Sequence, residues 1–304
     1  MPNLRHFDPD FSGLWIPLIT PFHHKDIDRQ ALKSLVSLYK PSGIAGLVVC
    51  GSTGEAAALG DEEQLDVLET VIQEAAGLPV VFGVSGYHLG KTAARVKTLG
   101  TLGIDGILLS APHYIRPAQP GVIDWFTQLA DASTVPVIVY DIPYRTGVEI
   151  TLETLRALAS HPHIRAVKDC GGDAAKTAAL IADGRFQVLC GEDSNIFSTM
   201  AQGGDGAIAA AAHMHTGRFV KIIKLLKARK NEEARALWEP LLPLIAGMFS
   251  EPNPGPLKAL LASAGLIHDE LRSPMTRASG ALADKLRQLD AAVTASQTLG
   301  ASRP

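Results

Sequence analysis

Eight short apolar runs recur along the chain: Leu14–Thr20, Ile44–Cys50, Pro79–Val84, Gly106–Ser110, Val135–Tyr140, Ile164–Lys168, Phe186–Cys190 and Gly206–Ala211. Each is rich in Val, Ile, Leu or Ala and is bounded by Gly, Pro or polar residues. Continuous apolar runs of this length fit strands buried on both faces, as in parallel sheets. Between them the apolar positions follow a helical period. Asp28–Tyr39 places Leu32, Leu35, Val36 and Tyr39 on one face, and Glu62–Ala75 does the same with Leu65, Leu68, Val71 and Ile72. Asp61, with Gln64 three residues on, has the form of a capping box at the start of the second helix. Thr92–Leu102, Val122–Ala132, Leu152–Ser160, Ala174–Ala182 and Ile196–Gln202 continue the series. This alternation predicts an α/β fold, a closed (β/α)8 TIM barrel. A doubly wound open sheet is the runner-up, but no Gly-x-Gly-x-x-Gly follows the first strand, as a dinucleotide-binding domain would require.

Past the eighth run, Gly217–Lys230, Glu232–Phe249 and Pro256–Ala264 read as three helices, with Pro240 and Pro243 placed to kink the second. The expected division is a catalytic barrel over residues 1–215 and a C-terminal helical extension over 216–304, covering one face of the barrel or meeting a partner subunit. The last stretch, Ala291–Pro304, is small and polar enough to fray.

Composition narrows the function classes. The chain of 304 residues is 46% hydrophobic and 19% charged, enough to bury one large core. A net charge of −3 gives no electrostatic case for nucleic acid or an acidic membrane. No apolar run approaches the ~20 residues that span a bilayer. The start, Met1 to Asp8, lacks the apolar stretch of a signal peptide. Cys50, Cys170 and Cys190 lie in or beside strand-like runs, without metal-ligand spacing and in odd number. They read as reduced core residues of a cytoplasmic protein.

The most unusual position is Lys168, at the end of a run that otherwise reads as a buried strand. An ammonium in an apolar interior is costly, so it is paired, loses its proton, or snorkels to water. A neutral lysine amine is a nucleophile able to form a Schiff base with a ketone. Alternation places Ile138 with Tyr140 and Ala166 with Lys168, so adjacent strands can present Tyr140 and Lys168 to one cavity. Barrel chemistry gathers at the carboxyl ends of strands. There the loop Gly51-Ser52-Thr53-Gly54-Glu55 offers hydroxyls and backbone N–H groups that Gly51 and Gly54 let approach a carboxylate. Arg145 is placed to grip a carboxylate in bidentate fashion. Taken singly, a core tyrosine, an arginine in a surface salt bridge and an ordinary strand-to-helix turn are the commoner readings.

Taken together, Gly51-Ser52-Thr53-Gly54-Glu55, Tyr140-x-Ile142-Pro143, Lys168 and Gly203-Gly204-x-Gly206 resemble, in order and spacing, the dihydrodipicolinate synthase/N-acetylneuraminate lyase family. The resemblance extends from Pro17 through Met275. Tyr114-Ile115-Arg116-Pro117, Arg145-Thr146-Gly147, Glu251-Pro252-Asn253-Pro254 and Pro274-Met275-Thr276 resemble its synthase branch. That branch implies condensation of pyruvate with L-aspartate 4-semialdehyde to 4-hydroxy-tetrahydrodipicolinate, a precursor of lysine and cell wall. By this resemblance Lys168 forms the imine and Tyr140 is the general acid/base. Ser52 is the relay hydroxyl, where synthases usually carry threonine. Tyr114 is the relay tyrosine that a neighbouring subunit supplies. Thr53 holds the pyruvate carboxylate, Arg145 the carboxylate of the aldehyde, and Ile208 lines the pocket through its carbonyl. The resemblance implies no metal, no cofactor beyond the covalent imine with pyruvate, and a homotetramer built as a dimer of dimers.

Some positions depart from the synthase pattern. Asp141 stands in place of asparagine, although alternation turns it away from Tyr140. Tyr144 replaces a small residue beside Arg145, and His113 replaces a tyrosine. The family's regulatory positions appear as Asp61, Gln64, Tyr87 and Lys91, which implies weak or absent inhibition by lysine. Three rivals follow. One is another pyruvate-dependent class I aldolase or dehydratase acting on a sugar acid or hydroxy-oxoacid. Another is a ligand-binding protein without catalysis. The third is a metal aldolase using His213 and His215.

Overall fold

The computed structural model describes residues 9–300, with side chains through residue 296. Eight parallel strands close into one barrel: β1 (Gly13–Pro17), β2 (Gly46–Val49), β3 (Val80–Val84), β4 (Gly106–Ser110), β5 (Val137–Asp141), β6 (Ile164–Asp169), β7 (Gln187–Cys190) and β8 (Gly206–Ile208). Each strand pairs with the next in sequence, and β8 pairs with β1. The eight apolar runs are these strands, with shifted ends. The first leaves the barrel after Pro17 and feeds a small hairpin, Phe22–His23 against Asp26–Ile27, which carries no sequence signal of its own. The last stops at Ile208 because Ala211–His213 curl into a 3-10 turn.

Strand alternation sorts the core into two shells. Trp15, Val48, Val81, Leu108, Ile138, Ala166, Leu189 and Ile208 meet inside the barrel. Their neighbours Ile16, Leu47, Phe82, Leu109, Val139, Val167, Val188 and Ala207 face the helices. Phe11 and Trp15 plug the amino end, their ring centroids 5.8 Å apart and the Trp15 indole N–H donating to the Phe11 carbonyl at 2.7 Å. A Cβ at Gly46 would come within 2.2 Å of the Trp15 ring, so this plug needs glycine there.

The outer ring comprises α1 (Arg29–Tyr39), α2 (Asp61–Ala75), α3 (Leu89–Leu99), α4 (Gln119–Ala132), the single turn α5 (Pro143–Thr146), α6 (Leu152–Leu158), α7 (Ala174–Asp183), α8 (Ile196–Ala201) and α9 (Thr216–Lys227). The start of α2 corrects one expectation. Gly60 is the cap, and its N–H donates to Glu63 Oε2 at 2.9 Å. Gln64 instead donates to the Ala56 and Leu59 carbonyls.

The expected boundary at 215/216 falls between β8 and α9. Because α9 packs on β1 and α8 and completes the ring, we place the start of the extension proper after it. It consists of α10 (Asn231–Trp238), a 3-10 turn over Glu239–Leu241, α11 (Leu242–Met248), α12 (Gly255–Ser263) and α13 (Gly280–Gly300). Pro240 and Pro243 do break the expected long helix. The expected fraying from Ala291 is overturned through Ser296: this stretch belongs to α13, and Val293 is buried with Leu282 and Leu286. Residues 1–8 and 301–304, on which the readings of the start and the frayed end also rest, lie outside the described residues. No described helix is long and apolar enough to cross a membrane. The three cysteines are buried and unbridged.

Candidate active site

A cavity of about 640 Å3 opens at the carboxyl end of the barrel. It is lined by Ser52, Thr53, Tyr140, Tyr144, Arg145, Lys168, Glu192, Ile208 and, from the extension, Ile245, Phe249 and Asn253 among others. Tyr140 and Lys168 are register partners on β5 and β6, which sets their side chains next to each other. The Lys168 nitrogen lies 4.3 Å from the centre of the Tyr140 ring. Both are buried, at 5% and 8% exposure. The ion pairs of buried lysines among the described residues belong to Lys176 and Lys258, not to Lys168. Burial holds the Tyr140 phenol well above its usual pKa, while a hydrogen bond with Ser52 and the charge of Arg145 pull the other way.

The loop after β2 folds back on itself. The Gly54, Glu55 and Ala56 N–H groups donate to the Gly51 and Ser52 carbonyls. Those of Ser52 and Thr53 have no backbone acceptor among the described residues. Thr53 Oγ1 accepts from Asn253 Nδ2 at 3.0 Å. Arg145 sits on α5 at the rim, its guanidinium 5.7 Å from the centre of the Tyr144 ring and in no ion pair among the described residues. Ile208 ends β8 against the cavity. Gly51 borders a second cavity of about 260 Å3 that shares Ser52, Tyr140 and Arg145 with the first. Tyr114 is not brought to Lys168: it is 86% exposed, with a left-handed backbone (φ 73°), outside the main cavity of its own chain.

Other positions resolve differently. Asp141 is fully buried (0%) and faces outward, where its Oδ2 meets the Lys176 ammonium at 2.7 Å. It therefore adds no charge to the cavity. His213 takes the Ile19 N–H on Nε2 at 3.3 Å and bonds the Ala210 carbonyl through Nδ1 at 2.8 Å. Burial pushes its pKa down to about 4. His215 pairs with Asp290 at 2.8 Å. Both histidines are thus committed to structural bonds. His23, Asp28 and His268 cluster elsewhere on the surface. The His23 and His268 rings stack at 3.9 Å and 9°, and one ion cannot lie in the planes of two parallel stacked rings.

The sequence reading missed Glu192 and gave Asn253 no role. Glu192 follows β7 and reaches the cavity between Lys168 and Tyr144. Burial raises its carboxyl pKa, against hydrogen bonds with Cys170 and Tyr144, and its Oε1 is buried without a hydrogen-bond partner. A Gly-Glu-Asp sequence at a strand end was the available signal. The next residue, Asp193, is structural: it accepts the Ala211 N–H at 2.5 Å, and burial raises its pKa to about 7.

A parallel barrel with a lysine free of ion pairs beside a tyrosine, in a cavity at its carboxyl end, has the layout of enzymes that hold carbonyl substrates as imines. Residues 10–295 match the profile of the Dihydrodipicolinate synthetase family, and the chain belongs to that family of lyases. It is 35% identical over 281 residues to 4-hydroxy-tetrahydrodipicolinate synthase 2 of Clostridium acetobutylicum, covering 91% of this chain and 98% of that one. Among solved structures, the 4-hydroxy-tetrahydrodipicolinate synthase of Methylacidiphilum fumariolicum SolV superposes with a TM-score of 0.92 at 28% identity, over 95% of this chain and 98% of that one. The chloride-inhibited dihydrodipicolinate synthase of Acinetobacter baumannii, solved with pyruvate, gives 0.91 at 29% identity, over 93% and 99%.

Proposed function

We propose that this chain condenses pyruvate with L-aspartate 4-semialdehyde to 4-hydroxy-tetrahydrodipicolinate, through an imine on Lys168. The observation that carries this reading is Lys168 itself, buried at the cavity wall beside Tyr140 and in no ion pair among the described residues. The Lys168 amine attacks the ketone carbon of pyruvate, and one proton from that nitrogen and one from Tyr140, passed through its bond with Ser52, turn the ketone oxygen into water, leaving a protonated imine. The imine withdraws electrons, Tyr140 takes a methyl proton, the enamine carbon bonds to the aldehyde carbon, and the aldehyde oxygen takes that proton from Tyr140. The amine of the second substrate then attacks the former ketone carbon, closes the ring and displaces Lys168. The substrate imine is the electron sink, so this scheme uses no cofactor.

Thr53 and the Ser52 and Thr53 N–H groups are suited to the pyruvate carboxylate, and Arg145 at the rim to that of the aldehyde. Glu192, with one buried oxygen unmatched, suits the ammonium of the second substrate. The rival sugar-acid reading retains Tyr144 at the rim in its favour but loses Asp141, which is paired outside the cavity. Turnover with aspartate semialdehyde, compared with sugar-acid aldehydes under equal pyruvate, tests the choice. A preference for the sugar acids would refute the proposal.

The assembly we propose is a homotetramer in which Tyr114 enters a neighbour's relay. Its support is the exposure of Tyr114 and Ile115 on one loop, with Tyr87 and Tyr144 also exposed. A monomer in sedimentation velocity with full activity would overturn it. The three buried, unbridged cysteines support a cytoplasmic setting. Weak or absent lysine inhibition is supported by the cavity of about 550 Å3 holding Asp61, Gln64, Tyr87 and Lys91, where Arg95 already binds Asp61 and Gln64. Strong inhibition at sub-millimolar lysine would count against it.

A further inference from the structure

The extension reaches the loop after β2 through Asn253, Lys258 and Arg272, residues that the proposed chemistry does not use. Lys258, on α12, is completely buried (0%). Its ammonium pairs with Glu55 Oε1, donates to the Glu270 carbonyl at 2.9 Å, and lies 4.3 Å from the centre of the Phe22 ring. Glu55 ends the Gly51–Glu55 loop in a left-handed conformation (φ 53°), and its Oε2 accepts the Arg272 N–H at 3.1 Å. Just before α12, Asn253 holds Thr53 by its hydroxyl. The back of the loop is fixed as well. The Gly54 carbonyl accepts from the Thr20 hydroxyl at 2.7 Å, and a Cβ on Gly54 would come 2.9 Å from the Leu18 carbonyl.

A buried ion pair stabilises little, because stripping water from two charges offsets their attraction. What this pair supplies is a fixed place for Glu55, and with it the neighbouring Thr53. We propose that Lys258 and Asn253 are positioning residues: the extension, from outside the barrel, sets the geometry of the site that receives the keto-acid carboxylate, and thereby the affinity for pyruvate. This inference rests on the reading of Thr53 as that site and of Lys168 as the imine-forming residue.

The test reads the pyruvate concentration giving half-maximal borohydride trapping on Lys168, measured by intact mass, which requires no second substrate. E55Q/K258M removes both charges and keeps the side-chain volumes near those of the original pair. That concentration is expected to rise about tenfold or more, while maximal trapping stays within about twofold of the parent, as loss of ground-state binding predicts. N253A, at a half-buried loop position, moves it the same way with the melting temperature unchanged. Unshifted concentrations in both variants overturn the proposal, and if the double variant fails to fold, N253A alone decides. No adduct on the parent chain overturns the imine reading and this inference together. An adduct with unshifted concentrations overturns this inference alone.

Discussion

Lys168 and Lys258 are both withdrawn from water, yet their surroundings differ completely. Lys258 is enclosed on every side: Glu55 faces its charge, Glu270 takes a hydrogen bond, and Phe22 lies beneath it. Lys168 has a tyrosine ring on one side and open cavity on the other, with no carboxylate in an ion pair among the described residues. Lys176 repeats the Lys258 solution one layer outside the site, against Asp141 and the Ile150 carbonyl. The difference teaches that burial alone does not mark a reactive lysine. A buried amine whose charge faces a carboxylate serves as a fastener. One whose nearest empty space is a substrate-sized cavity remains available to bond.

The sharpest way to break this contrast is to exchange the consequences of losing each amine. K168M is expected to abolish the borohydride adduct and lower turnover by about 10⁴-fold or more, the scale of removing a covalent nucleophile. K258M is expected to keep the adduct at saturating pyruvate. Trapping on the K168M chain, or none on the K258M chain, would reverse the assignment. Y140F comes next, with kcat lower by about 10²–10⁴-fold, the range of a lost general acid/base. A loss under about tenfold would leave Tyr140 a wall of the cavity and no more.

Stability should show the opposite ranking. K258M leaves Glu55 buried and unpaired and should cost about 3–5 kcal/mol in urea unfolding, most of it regained in E55Q/K258M. The same sequence of losses is expected for K176M and D141N/K176M, whereas K168M should cost far less. Equal destabilisation by K168M and K258M would erase the distinction.

The smallest effects test burial without any ion pair, through pH. His213, held near 4 in the fold, is neutral while an unfolded imidazole gains its proton near 6.5. Its contribution is complete above about 6.5 and is lost as pH falls toward 4, about 3 kcal/mol in all. Asp193, raised to about 7, has the opposite sign. It contributes fully below about 4, and that contribution is lost as pH rises to about 7. The two slopes oppose each other between pH 4 and 7. Unfolding at both pH values should therefore show D193N weakened toward acid and H213Q weakened toward neutrality. Parallel, flat profiles in the two variants would remove both assignments.

Strand positions were readable because both faces of each strand are buried, which leaves apolar runs no polar alternation can disguise. The same two-residue period turned Tyr140 and Lys168 inward and Asp141 outward, as found. What sequence could not show depends on contacts between distant segments. Asn253 meets Thr53, and Lys258 meets Glu55, across some two hundred residues. Glu192 sits on a loop whose direction is set by Asp193 binding Ala211. Helix α13 has a visible stripe in Leu282, Leu286, Leu289 and Val293, but the small residues around it resemble a frayed end. Tyr114 lies exposed and outside the main cavity of its own chain, which no pattern in its segment announces.

The Phe11–Trp15 plug has a kinetic consequence. With the far end of the barrel closed, reactants and product pass through its carboxyl end, where Lys168 is buried and Arg145 is exposed at the rim. On the proposed roles of Lys168 and Arg145, keto acid enters first, because an aldehyde held at the rim obstructs the path behind it. Initial rates should therefore climb and then decline as the aldehyde is raised at low pyruvate, and added pyruvate should lift that decline.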